Sequence, residues 1–195
     1  MNTILLATPD ADSTRRIFLR NAGLFGLGLA ATAPLLVPAR ALAATASKDT
    51  QQDIAILNSA LALEYQGIAA YQVGAESGLL QKAVLDLAVT FQGHHKAHAD
   101  ILAETVTKLG GKPEMAKKAA EYGFPVDKLK NQADVLRFAA GLEQGAASAY
   151  LGAVPQFHNR DLARAAASIL GDETMHWAIL RNAVGEDPVP AAFIA

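Results

Sequence analysis

With 195 residues and 17 basic against 19 acidic side chains, the chain is long enough for one well-buried domain. Its basic residues form no patch, so nucleic acid is not an expected partner. The absence of Cys excludes disulfides, thiolate metal sites and thiol chemistry, leaving oxygen and nitrogen donors for any metal.

Residues 1–43 read as a targeting segment. Thr14-Arg15-Arg16-Ile17-Phe18-Leu19-Arg20 leads into the apolar run NAGLFGLGLAATAPLLV, which is Gly-rich, interrupted by Pro34 and closed by Pro38. An Arg pair followed by an apolar dipeptide and a basic residue resembles a twin-arginine signal. Ala41-Leu42-Ala43 is the expected cleavage site, with cleavage as late as residue 46, after Ala44-Thr45-Ala46, as the next choice. A retained anchor is the alternative reading; cleavage would leave no stable membrane span. The resemblance implies a protein folded in the cytoplasm, often with its cofactor in place, and then exported to the periplasm or beyond. Cleavage would leave a mildly acidic mature domain of 13 basic and 17 acidic residues.

Four helices are predicted from apolar residues recurring every three or four positions. The first, from about Thr50 to Ser77, carries Ile54, Leu57, Leu61, Glu64, Ile68 and Tyr71 on one face. The second, from about Leu79 to Leu109, carries Ala88, Phe91, His95, His98, Leu102 and Thr105 and stops at Gly110-Gly111. The third, from about Asn131 to Val154, carries Leu136, Ala140, Glu143, Ala147 and Tyr150 and is closed by Pro155. The fourth, from about Asn159 to Val184, carries Leu162, Ala166, Ile169, Glu173, His176 and Leu180. No segment alternates with the period of two expected of a half-buried strand. The expected fold is therefore all-α: a four-helix bundle over residues 47–185, built as two antiparallel hairpins. The segment GKPEMAKKAAEYGFPVDKLK forms the long crossover between them, with a short helix expected at Glu114–Tyr122, and residues 186–195 form a Pro-rich tail.

Each predicted inward stripe is interrupted by ionisable residues: Glu64, His95 with His98, Glu143, and Glu173 with His176. Counted from the turns at about 1.5 Å per residue, Glu64 and His95 reach a common height, and so do Glu143 and Glu173. An unpaired carboxylate in a core costs several kcal/mol, so a set of this kind calls for a cation. Polar ligands from four facing helices are how a bundle houses a metal. The bland alternative is a structural polar network, or stripes rotated towards solvent. His94 sits beside the stripe, where a surface or supporting role is expected. Gln92-x-x-His95 is a second way to read the ligand pair of the second helix. Tyr65, Tyr71 and Tyr150 lie on or beside the inward stripes, where they could hydrogen-bond a ligand, take part in one-electron chemistry or simply pack; Trp177 reads as packing.

LALEYQGIAAY, HKAHADIL followed by LGGKP, GLEQGAASAY and DETMHWAIL together resemble the ferritin-like superfamily, in particular exported bacterial ferritin-like proteins related to desiccation-associated proteins. The resemblance spans about residues 50–185. It implies two iron or manganese ions held by a pattern of Glu, Glu-x-x-His, Glu, Glu-x-x-His; zinc is also compatible. Glu64, His98, Glu143, Glu173 and His176 stand on matching positions, whereas His95 stands where the family has a Glu that helps bridge the metals. A neutral imidazole binds through one nitrogen, so one ion competes with two. The implied chemistry is oxidation with oxygen or peroxide, with non-catalytic metal binding, stress protection and a purely structural or interaction bundle as competitors. No catalytic residue is assigned, and a homodimer is left open.

Overall fold

The computed structural model describes residues 47–194; the leader and its cleavage sites lie outside them. The chain forms α1 (Lys48–Glu76), α2 (Lys82–Lys108), α3 (Gln132–Ala153) and α4 (Arg160–Ala183), with no strand among the described residues. Each of three helices starts on a side chain that accepts a backbone N–H of the first turn: Ser47 from Thr50, Asn131 from Asp134, and Asn159 from Asp161. After α2 the chain reverses at Gly110, whose φ of 82° suits a residue without Cβ.

α1 packs along α2 and α3 along α4, and the two hairpins meet more sparingly along α1 and α3. Two apolar layers hold the bundle together. One is built on Leu57, Leu61, Leu102, Val106, Leu162 and Ile169. The other is built on Tyr71, Ala88, Phe91, Leu136, Ala140 and Leu180. On every helix the candidate ligands fall between these two groups, so this polar set forms a belt across the middle of the core. Buried Asp53 couples the hairpins, accepting the N–H groups of His158 at 2.8 Å and Asn159 at 3.0 Å, at the start of α4.

The crossover departs from the sequence expectation. In place of a helix from Glu114 to Tyr122 there is an extended stretch and then a single 3-10 turn, Ala119–Tyr122, followed by another at Val126–Lys128. Asn58 of α1 explains the difference: its amide donates to the Lys112 carbonyl at 3.0 Å and accepts the Glu114 N–H at 2.8 Å. Those bonds hold the chain extended against α1 where the first helical turn would have begun. The tail has no regular structure up to residue 194. It is tethered where it leaves the bundle by Arg181, which pairs with Glu186 at 2.9 Å and donates to the Asp187 carbonyl at 2.7 Å. No helix among the described residues is long and apolar enough to cross a membrane.

Candidate metal centre

The belt brings all six candidate ligands together. α1 supplies Glu64, α2 His95 and His98, α3 Glu143, and α4 Glu173 and His176. All are buried except His98, whose side chain is 16% exposed. They form two overlapping groups, each with ligand atoms within 4.8 Å of one another: Glu64, His95, His98 and Glu173, and His95, Glu143, Glu173 and His176. His95 and Glu173 are common to both.

His95 lies between the two halves. Its Nδ1 is 2.8 Å from Glu64 Oε2, and its Nε2 is 3.3 Å from Glu143 Oε1. The ring fits because residue 67 is Gly: a Cβ there would stand 3.0 Å from the His95 ring atoms Cε1 and Nδ1. His98 Nδ1 lies 3.2 Å from Glu173 Oε1 and 3.5 Å from Glu64 Oε2. His176 Nδ1 lies 3.4 Å from Glu143 Oε1 and 4.0 Å from Glu173 Oε2.

Five buried atoms of this set make no hydrogen bond: His98 Nδ1, His176 Nδ1, Glu143 Oε2 and both carboxylate oxygens of Glu173. Buried polar atoms are otherwise almost always paired, because each orphan costs about 1 to 3 kcal/mol. Here the orphans are all metal-ligand types and come from three helices. A cation coordinated at this level would satisfy them, so the residues present fit a metal.

Gln92 does not join the group. Its amide donates to the Ile68 carbonyl at 3.0 Å and to Gln72 at 2.9 Å, and it accepts from Lys96 at 2.8 Å. It serves the α1–α2 seam, and the pair that α2 gives to the centre is His95-x-x-His98.

A surrounding layer of side chains orients the set. The Tyr150 hydroxyl donates to Glu64 Oε1 at 2.5 Å, and the Tyr71 hydroxyl donates to Glu143 Oε1. Burial and the adjoining carboxylates push both phenols well above their ordinary range, so they stay protonated as donors. Tyr65 lies away from this layer, among Asp100 and Tyr122. Phe91 stacks on His176 with ring centroids 4.0 Å apart. Trp177 packs against the apolar layer of Tyr71 and Leu180, with the Arg181 guanidinium over its ring.

Asp172 was not picked out from the sequence. Its Oδ2 lies 3.3 Å from His176 Nε2, 3.5 Å from His98 Nε2 and 3.0 Å from His94 Nδ1. It faces the outer nitrogens of both histidines that turn their Nδ1 inward, the arrangement by which a carboxylate fixes the ring orientation of a metal ligand. His94, the most exposed of the group, reaches the same outer nitrogen of His176 at 2.9 Å. Asp172 directly precedes Glu173, and its position one step off the stripe was the available signal.

Without a metal, the belt holds protons. Burial would depress His95, but the Glu143 and Glu64 carboxylates on either side raise it to about 11. The same opposition, burial against Glu173 and Glu64, leaves His98 at about 9. Burial, joined by the Glu143 and Glu64 carboxylates, pushes Glu173 up to about 8 against the pull of His98. Burial would also raise Glu64, but His95 and His98 hold it down at about 2. Glu143 is held below its ordinary value in the same way, by His176 and His95.

A family model described as Ferritin-like domain matches residues 52–186. Among solved structures, the chain is similar to a conserved hypothetical protein of Mycobacterium tuberculosis, with 25% identity and a TM-score of 0.63; the match covers 74% of this chain and 99% of that one. It has the same fold as a Bacillus anthracis structure described as ferritin like, diiron-carboxylate proteins, with 23% identity, a TM-score of 0.60, and coverage of 71% of this chain and 99% of that one. No curated protein matches the chain.

Proposed function

The chain belongs to the ferritin-like domain family, and from that premise we propose that it is an exported metal-binding protein whose belt holds iron or manganese for oxidation by oxygen or peroxide. The observation that carries this reading is the group of five orphaned donor atoms buried between two apolar layers. Glu64 and His98 would hold one position and Glu143 and His176 the other, with Glu173 between them. A bound redox metal would supply electron exchange with oxygen or peroxide. The protein holds the ligands in place through Tyr71, Tyr150 and Asp172 and surrounds them with apolar side chains. Export rests on the twin-arginine pattern of the leader, and protection against oxidative stress is the physiological role that best suits such a centre outside the cytoplasm.

His95 governs stoichiometry in this proposal. As a neutral ring it would offer one nitrogen to a metal and donate its N–H to a neighbouring carboxylate, so about one ion per chain is the expected content. One specific observation favours a second reading: protonated, the same ring bridges Glu64 and Glu143 and is itself the cation of a structural polar core.

Metal analysis of the purified chain, before and after anaerobic loading with Fe²⁺ or Mn²⁺, separates the two readings. The metal reading expects about one ion per chain, a rise in melting temperature on loading, and oxygen or peroxide consumption by the loaded protein. A preparation that takes up no iron, manganese or zinc and gains no stability from them would establish the structural reading instead.

A further inference from the structure

Outside the belt, on the seam between α2 and α4, three more metal-ligand atoms meet. His94 Nδ1 lies 3.0 Å from Asp172 Oδ2 and 2.9 Å from His176 Nε2, and the last two atoms lie 3.3 Å apart. His94 and Asp172 belong to neither belt group, and His176 enters through the nitrogen opposite the one it turns inward. Asp172 and His176 stand one turn apart on α4, facing His94 of α2. The His94 and Asp172 side chains are 45% and 21% exposed, so solvent reaches the group, while His176 is buried behind them.

Hydrogen bonding does not satisfy this triangle. An ionised carboxylate only accepts, and an imidazole nitrogen either donates or accepts. If both nitrogens carry protons, two donors face each other across 2.9 Å. If the His94 nitrogen is bare, two acceptors meet across 3.0 Å, and if the His176 nitrogen is bare, two meet across 3.3 Å. One edge is therefore repulsive in every protonation state of the rings. An ion removes the conflict, because all three atoms then turn lone pairs towards it. The spacing suits one as well: ligands about 2.1 Å from a metal, at angles from square to tetrahedral, stand about 3.0 to 3.4 Å apart.

We infer that His94, Asp172 and the outer edge of His176 form a second metal site, for one divalent transition-metal ion of the zinc class. Two imidazoles and one carboxylate select such an ion, since magnesium and calcium favour all-oxygen shells. Three protein ligands leave the remaining coordination to water on the exposed side. With so few ligands and an open side, the site fills at equilibrium and empties on desalting, so it adds nothing to the retained content of about one ion per chain. It stands whether the belt holds a metal or a polar network. A neutral imidazole has one lone pair, so an ion on His176 Nε2 leaves the proton on Nδ1, which then faces Glu143 Oε1 at 3.4 Å. The outer site and the belt thus share a ligand.

The test uses the full chain after chelation, titrated with Zn²⁺ by calorimetry while the ring nitrogens of the histidines are followed by NMR. Saturable binding is expected, with the His94 Nδ1 resonance moving to the position of a metal-bound nitrogen; Mg²⁺ should leave it in place. His94→Ala should remove one Zn²⁺ per chain from the equilibrium stoichiometry, which a merely orienting role for His94 would not change. Asp172→Asn should weaken that binding at least about tenfold, since even partners outside the coordination shell are worth about 10- to 100-fold. Glu64→Gln, which alters the belt and none of the three outer ligands, should keep the His94 response, with circular dichroism checking the fold. Zn²⁺ binding that leaves His94 unmoved, or an unchanged stoichiometry in His94→Ala, would overturn the inference. So would loss of the His94 response in folded Glu64→Gln, which would make His94 a reporter of the belt. Because His94 lies at the surface, its substitution decides the question even without the Glu64 variant. The outer site is read at His94 in equilibrium and the belt by ions retained after desalting, so the two readings fail separately.

Discussion

Residue 95 is where the resemblance to ferritin-like proteins implies a Glu, and its imidazole lies between Glu64 and Glu143. Replacing it by Glu restores a side chain that can span two ions. His95→Glu is therefore expected to raise metal content from about one towards two per chain, measured by elemental analysis after loading; unchanged stoichiometry would show that another residue sets the limit. The ring also depends on Gly67, whose missing Cβ leaves its space. Gly67→Ala forces the imidazole to shift and should destabilise the metal-free protein by about 1 to 3 kcal/mol in denaturant unfolding, despite the better helix propensity of Ala. The inward stripes predicted that Glu64, His95, Glu143, Glu173 and His176 are buried, because a helix face repeats at a known period. They could not reveal Gly67 or Asp172: what those residues do depends on which side chain of a neighbouring helix stands opposite, and one helix's periodicity carries no information about that.

At the scale of the helix, α3 carries glycines where they weaken it without any contact that demands them. Gly141→Ala and Gly145→Ala should each stabilise the fold by up to about 1 kcal/mol, a rise of roughly 3 °C in melting temperature, read by circular dichroism. A loss of stability would mean that these positions approach something closely in solution. The four helices were readable in the sequence to within three residues, the largest miss falling at the start of α2, the one helix without a side-chain cap. The crossover was readable as a long link, but its internal structure was not. Its Glu-Met-Ala-Lys-Lys-Ala-Ala run has good local helix propensity, but two hydrogen bonds from Asn58, more than fifty positions away in the chain, hold its start extended.

Across the whole molecule, the charged belt links stability to pH. His95 and His98 have folded pKa values raised above the ordinary 6.5, so the stability they contribute without metal is complete below about pH 6.5 and is lost as pH rises through their folded values of about 9 and about 11. Glu173, raised from 4.5 to about 8, works in the same direction, its contribution eroding between those values. A metal held there would have to displace these same protons, so its affinity would rise with pH over that range. The gain in melting temperature from excess Mn²⁺ over chelator is expected to be larger at pH 8 than at pH 6; an equal or smaller gain at pH 8 would contradict the site as described. The belt also divides evenly along the chain. Glu64, His95 and His98 come from the first hairpin and Glu143, Glu173 and His176 from the second, with only the crossover joining them covalently. A bound ion would thus add a link between two hairpins that the apolar layers and Asp53 already hold together. If a protease cuts within residues 114–118, the two fragments should come apart at a higher denaturant concentration when loaded than after chelation, which would make the centre a clasp between two peptides.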